Sequence, residues 1–225
     1  KIYVGKRKGS DTLPQAELSK RLRLKAQQGK KVVRLKGGDP LIFGRGAGEI
    51  NYLRSYHIPV EVIPGVSSAT GIPSALGIPL TARGVSSSVA FISGHAEDER
   101  GAEPKPVAIP KADTIVFLMG LTKLAIIIES LENAGWRNST PMIVVSKGTK
   151  AGERIVSGTI GTIEGLVLKA GLEPPALIIA GEVVKFWRKK DFDDTILYLG
   201  TNPAKYKSLG KIVHLPLLKI EPAEL

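Results

Sequence analysis

The sequence contains no cysteine. Disulfide scaffolds, thiolate zinc sites, iron–sulfur clusters and cysteine nucleophiles are therefore excluded within it. Aromatic residues make up only 5%, which leaves little material for base-stacking platforms. No apolar run reaches the roughly 18 residues of a membrane span. The opening Lys1-Ile2-Tyr3-Val4 is no signal peptide, and because it lacks an initiator methionine the N-terminus reads as cut. The histidines His57, His95 and His214 share no metal-ligand spacing and read as surface or packing residues. A Walker A sequence, a G-x-G-x-x-G after a strand, a nucleophile elbow, a zinc finger and an RNP motif are all missing.

What is present is ordinary globular material. A chain of 225 residues makes one large domain or two small ones. Its 43% hydrophobic and 24% charged residues argue against disorder. The unusual feature is charge: 32 Lys+Arg against 21 Asp+Glu gives +11. Such a balance suggests an acidic partner: nucleic acid, an anionic membrane, or a polycarboxylate or phosphate substrate. The densest stretches are Lys6-Arg7-Lys8, Lys20 to Lys36 and Lys185 to Lys190, with no single long block. Many of these residues read as solvated surface.

Strand and helix patterns alternate along the chain. Asp11 or Thr12 is placed to cap a helix opening at Pro14, with Leu18, Leu22 and Ala26 on one face and Gly29 as the stop. Strands are expected at residues 31–35, 60–63, 88–93, 114–119, 142–146, 154–158 and 176–184. Helices are expected at 46–56, 121–134 and 162–170. Residues 94–111 are polar and proline-rich and read as a loop. The alternation predicts an α/β fold with largely parallel strands.

In open α/β sheets ligands sit beyond the carboxyl ends of strands. Here those ends carry Lys36-Gly37-Gly38-Asp39-Pro40, Pro64-Gly65-Val66-Ser67-Ser68, Met119-Gly120 and Lys147-Gly148-Thr149. Glycine admits a ligand close to the backbone, whose free N–H and C=O groups can read an adenine or a carboxylate. Ser67 and Ser68 can cap the next helix or bind ligand. Asp39 can accept ribose hydroxyls or simply make a turn. From the residues alone the chain reads as a small-molecule α/β enzyme of unspecified reaction.

The run Val32-Val33-Arg34-Leu35-Lys36-Gly37-Gly38-Asp39-Pro40-Leu41-Ile42-Phe43-Gly44-Arg45-Gly46 closely resembles the uroporphyrinogen-III C-methyltransferases of the tetrapyrrole methylase family. Ile2 to Arg7, Pro64 to Ala69, Gly77 to Thr81, Ser93-Gly94-His95, Ile115 to Gly120 and Pro174 to Val184 match the same family in order. The resemblance covers about residues 1–187. It implies two α/β lobes, divided here as 1–84 and 85–187, with the cofactor between them in a cytoplasmic homodimer. The implied reaction moves two methyl groups from S-adenosyl-L-methionine to uroporphyrinogen III, giving precorrin-2 for sirohaem or cobalamin synthesis and S-adenosyl-L-homocysteine. Family cofactor contacts fall on Gly37, Gly38, Asp39, Ile42, Ser67, Ser68, Met119 and Gly148, and Lys6 matches a lysine assigned as proton donor. No metal, nucleic acid or membrane is implied. The rival readings are another methylase of this fold, acting on a later corrin precursor, diphthamide or ribosomal RNA, and a basic nucleic-acid-binding module.

The sequence also departs from the family. Its opening strand with a Gly-Pro-Gly-Asp turn, and the Asp-Arg motif after it, have no counterpart in these 225 residues. Part of the cofactor site and a proton acceptor are accordingly expected to be lacking from them. Asp11 stands where many members have His, and Ser19 where many have Asn. Residues 188–225 are expected to be a linker and the start of a second domain. There Thr195 to Gly200, followed by Ile212 to Pro222, resembles the opening of uroporphyrinogen-III synthase.

Lys6 has two roles open to it, a proton donor or a carboxylate anchor within Lys6-Arg7-Lys8. An arginine keeps the charge but cannot give up a proton near neutral pH. Lys6→Arg in the full-length protein is therefore expected to keep its substrate KM and lose turnover, as read by steady-state kinetics. Wild-type kcat in that variant leaves only the anchoring role.

Overall fold

A computed structural model describes residues 2, 4, 13–94, 106–188, 195–198 and 211–214. Lys6, Asp11, Thr12 and His95 lie outside these residues. By internal contacts the chain divides into a unit of Lys1–Trp187 and a unit of Arg188–Leu225.

The first unit begins with helices. Helix α1 spans Gln15–Gln27, with Pro14 at its N-cap and Gly29 just beyond its end at φ +72°. Proline's fixed φ suits a helix start, and the left-handed glycine stops the helix. Leu18 is buried, and α1 packs on helix α2, Gly46–Arg54. Helix α3, Ser68–Ala75, is capped by Ser67, whose hydroxyl accepts the Ala69 N–H at 3.2 Å.

A five-stranded sheet follows: β1 (Val89–Ser93), β2 (Thr114–Leu118), β3 (Pro141–Ser146), β4 (Arg154–Thr159) and β5 (Ala176–Ala180), in the order β1-β2-β5-β3-β4. Helix α4 (Leu124–Asn133) follows β2, and α5 (Ile163–Ala170) follows β4. Successive strand residues face opposite sides. Ile115, Phe117, Met142, Val144 and Ile178 accordingly pack with Ile127, Leu131, Ile163 and Val167. Val116, Ile143, Val145, Leu177 and Ile179 pack on the other face with Ala69, Ile72, Ile78 and Val183. Both faces are covered, which is why these strands read as unbroken apolar runs.

The α/β class is as expected, but three expectations about the strands change. The sheet is mixed. Only β1 and β2 pair in parallel, whereas β2–β5, β5–β3 and β3–β4 are antiparallel. The connection 147–153 is too short for a parallel crossover, which needs a dozen or more residues, and makes β3–β4 a hairpin. Residues 31–35 and 60–63 form no ladder with any described residue, and Val33 and Leu35 are 80% and 84% exposed. A strand exists only through its partner, however apolar its own sequence. Finally, β5 stops at Ala180, because Gly181 turns away at φ +140° into a short 3₁₀ turn, Glu182–Phe186, that buries Val183 and Val184.

In the second unit, β6 (Thr195–Tyr198) and β7 (Lys211–His214) pair in parallel. Strand β6 lies within the first stretch likened above to the synthase opening, and β7 overlaps the start of the second.

The parallel pair β1–β2 is pinned at its start by one carboxylate. Asp113 accepts the N–H groups of Ser87 (2.8 Å) and Ser88 (3.1 Å) and their hydroxyls at 2.8 and 3.0 Å. The Ser87 N–H and hydroxyl, joined by those of Ser88 and opposed by burial, hold the Asp113 carboxyl below its ordinary 3.8. Stability from a lowered carboxylate is fully present above the unfolded value and disappears as pH falls through the folded one. Asp113→Asn is therefore expected to lower Tm at pH 7, with the gap to wild type shrinking once pH drops below 3.8. Thermal unfolding at pH 7, 5 and 3 measures this, and a gap independent of pH excludes the linkage.

Candidate ligand cleft

The strand directions gather the loops. β1, β2 and β3 run the same way and β4 and β5 run against them, so the exits of the first three share an edge with the entries of the other two. A cleft of about 910 Å³ opens there, within the range of small-molecule sites. Its walls come from Gly37–Gly38, Val66–Ser68, Leu118–Met119, Lys147–Lys150 and Pro174–Leu177, with Ile72 and Thr122.

The loops leaving the strands are conformationally unusual. Met119, Lys147 and Thr149 all adopt left-handed backbone, at φ 57°, 52° and 62°. Non-glycine residues in that region carry strain and cluster at functional sites. Neighbouring contacts hold them in place. The Lys147 N–H donates to the Pro175 carbonyl at 2.8 Å, and the Thr149 N–H to Glu153 Oε2 at 2.7 Å. Buried Ser146 donates its hydroxyl to the Glu173 carbonyl at 2.5 Å. The loop that carries Pro174 and Pro175, joined by a cis peptide bond, is thereby tied to the end of β3.

Several close backbone approaches require glycine, among them two between separate loops. A Cβ on Gly65 would overlap the Gly38 carbonyl oxygen, and one on Gly94 would overlap Gly120 Cα. The first lets the loop after residue 63 lie directly on the loop after residue 36. Asp39 ties the same two loops, because Oδ1 accepts the N–H groups of Leu41 (2.8 Å) and Ile42 (3.2 Å) while Oδ2 accepts that of Gly65 (3.3 Å). The Leu41 N–H foremost, then those of Gly65 and Ile42 against an opposing effect of burial, holds its carboxyl below 3.8.

Behind the first loop, Glu49 of α2 is buried. Burial pushes its carboxyl up, but hydrogen bonds from Lys36 and Gln15 and the charges of Lys36 and Arg34 outweigh it and hold the carboxyl below 4.5.

Of the residues singled out by sequence, Gly37, Gly38, Ser67, Ser68, Met119 and Gly148 line the cleft together. Asp39 and Ile42 stand beside it, outside the lining, and Lys6 lies outside the described residues. The sequence did not point to Thr122, Lys150 or the Pro174–Pro175 pair as lining. The proline pair was the signal for the last, since consecutive prolines restrict the chain ahead of a strand. Among the described residues no group of three or more His, Asp or Glu is placed to hold a metal ion.

The fold is that of a mixed α/β protein, and the cleft's apolar walls and backbone polar groups suit a mid-sized organic ligand. The chain belongs to the family described as Tetrapyrrole (Corrin/Porphyrin) Methylases, whose pattern matches residues 2–164. It is 44% identical to the uroporphyrinogen-III C-methyltransferase of Methanocaldococcus jannaschii over 184 residues, 81% of this chain and 76% of that one. It is 41% identical over 203 residues to a siroheme synthase of Nitrosomonas europaea, covering 90% of this chain but only 43% of that protein. The crystal structure of the Thermus thermophilus uroporphyrin-III C-methyltransferase complexed with S-adenosylhomocysteine superposes with a TM-score of 0.65 at 35% identity, over 83% of this chain and 78% of that one.

The packing of the two glycine loops gives a direct test. Gly65→Ala must displace backbone and is expected to destabilise the protein by about 1–3 kcal/mol. An added Cβ at Gly37 meets no atom within 4 Å, so Gly37→Ala should stay within about 0.5 kcal/mol of wild type. Urea unfolding of the two variants decides, and equal midpoints would show that the loops do not lie against each other.

Proposed function

We infer that this chain is an S-adenosyl-L-methionine-dependent methyltransferase that converts uroporphyrinogen III to precorrin-2. The observation that carries the reading is the cleft at the strand ends. It brings together Gly37, Gly38, Ser67, Ser68, Met119 and Gly148 in a chain 44% identical to a uroporphyrinogen-III C-methyltransferase. The residues fit the cofactor: a bare backbone stretch at Gly37–Gly38 leaves room for a ligand, and apolar walls suit an adenine and a methionyl chain.

When bound, S-adenosyl-L-methionine supplies an electrophilic methyl on a sulfonium sulfur. The protein's part is alignment and exclusion of water, which in-line methyl transfer needs more than a strong base. Val66, Ile72, Leu118 and Leu177 provide the dry walls. The left-handed turns at Met119, Lys147 and Thr149 redirect backbone groups where the loops leave the sheet, so they can read the cofactor without charged side chains. Lys147 and Lys150 at the rim attract a polycarboxylate. Lys6 is assigned the proton that the tetrapyrrole must exchange after methylation.

Further parts of the reading are proposals of the same kind. Asp39 and Ile42 complete the cofactor contacts, the lobes divide at residues 84 and 85, and the enzyme works as a cytoplasmic homodimer without nucleic acid. Residues 188–225 begin a uroporphyrinogen-III synthase-like domain. The chain spans less than half of the siroheme synthase it resembles, so any further activity of a larger protein is likewise proposed.

The test is methyl transfer from labelled S-adenosyl-L-methionine to uroporphyrinogen III by the full chain, read by mass as a dimethylated product. The net charge of +11 adds a second arm. The tetrapyrrole KM is expected to rise roughly tenfold or more from low to high salt, while cofactor affinity changes little. Binding of S-adenosylhomocysteine without methylation of uroporphyrinogen III would move the substrate elsewhere in the family. Equal salt sensitivity of both ligands would remove the charge from the explanation.

A further inference from the structure

Glu49 is 4% exposed and is, with Gly46, one of the two buried residues of α2. Its Oε1 accepts hydrogen bonds from Lys36 Nζ at 2.9 Å and Gln15 Nε2 at 2.8 Å. Arg34 Nε lies 3.5 Å from Oε2, an ion pair whose geometry is not that of a hydrogen bond. Such a cluster is a weak source of net stability, because desolvating the charges offsets most of their attraction. What the cluster does do is mechanical.

Lys36 is the residue immediately before Gly37 and Gly38 of the cleft. The segment leading to it forms no ladder with any described residue, so no backbone ladder among the described residues sets its height. The Lys36–Glu49 contact does, by fastening the start of the loop to α2. The loop's far end is fastened to the same helix, because the Gly46 N–H at the first turn of α2 donates to the Pro40 carbonyl at 3.1 Å. Both ends of the glycine loop thus refer to one rigid element, and Gln15 refers that element to α1.

We propose that Glu49 is a positioning residue for the cofactor, acting through Lys36 to fix the Gly37–Gly38 backbone against the ligand in the cleft. This rests on the reading that S-adenosyl-L-methionine occupies that cleft. Glu49 is not among the residues that line the cleft. Its contribution is to the placement of backbone groups, where small displacements cost a large part of binding.

The experiment is calorimetric titration of S-adenosylhomocysteine into the full chain, with thermal unfolding recorded on the same samples. Glu49→Gln keeps the side chain's size and removes its charge, and Lys36→Met keeps the stem and removes the amine. Each is expected to weaken S-adenosylhomocysteine binding by about tenfold or more at a temperature where the variant is fully folded. The double variant should be no weaker than the worse single, because both break one contact. A merely structural Glu49 lowers Tm and leaves the affinity of the folded protein at its wild-type value, and that result overturns the proposal. Effects that multiply in the double variant overturn it as well. If Glu49→Gln does not fold, Lys36→Met decides: a tenfold loss supports the tether and wild-type affinity removes it. Wild-type protein that binds no S-adenosylhomocysteine overturns the functional reading and this inference together, whereas tight wild-type binding with an unaffected Glu49→Gln overturns this inference alone.

Discussion

One side of the cleft stands on a carboxylate that bridges two loops. Residues 31–36 and 58–67 approach the ligand edge without a ladder to any described residue. Backbone outside a sheet still needs partners for its N–H groups. Asp39 supplies three, at Leu41, Ile42 and Gly65. The contact across 26 residues, from Asp39 to Gly65, joins loops that are otherwise separate in sequence. It works only because Gly65 carries no side chain where the Gly38 carbonyl passes. Remove either condition and Gly37, Gly38, Ser67 and Ser68 no longer share a wall.

The opposite side depends on the polarity of the sheet. With β5 inserted antiparallel between β2 and β3, its entry rather than its exit lies at the ligand edge. The segment Glu173–Ala176 therefore reaches the cleft, fastened by Ser146 and Lys147 of the neighbouring strand end. A fully parallel sheet would have sent that segment to the far edge. The left-handed residues after β2 and β3 fit the same picture, because each loop has to turn sharply to leave room between Met119 and Gly148.

Much of this was legible in the sequence, for reasons that also explain the misses. The strands 89–93, 114–118, 141–146 and 176–180 could be found because both sheet faces are covered, which leaves apolar runs. Residues 31–35 have the same apolar pattern, but the pattern does not encode a partner. Strand direction was equally hidden, although the short, glycine-containing connection 147–153 carried a hairpin signal. The glycine loops were legible because close approach leaves a residue type behind, and six of the eight cofactor candidates do meet in one cleft. Asp39 was not decidable, since its ligand or turn role depends on where Gly65 comes to lie. Glu49 gave no signal at all: in the helix expected at 46–56, a buried carboxylate looks like any solvated one.

Glu49 also changes what the net charge means. The count of +11 treats every Lys and Arg as available to an acidic partner, yet the structure commits several of them internally. Lys36 and Arg34 are drawn to Glu49. Arg154 donates to the carbonyls of Ala170 and Gly171 at the end of α5, where a cation also complements the helix dipole. Arg21 pairs with Glu17, and Lys185 with Glu182. A polycarboxylate arriving at the strand ends meets the charge at the rim, where Lys147 shares its field with Glu173 at 3.7 Å and Lys150 stands beside it. On the proposed reading, attraction of the substrate is thus governed by a local field of Lys147 and Lys150 on one wall of a cleft that is otherwise lined mainly by backbone and apolar side chains. The same helix that removes cations from the surface count holds the loop on which that cleft is built.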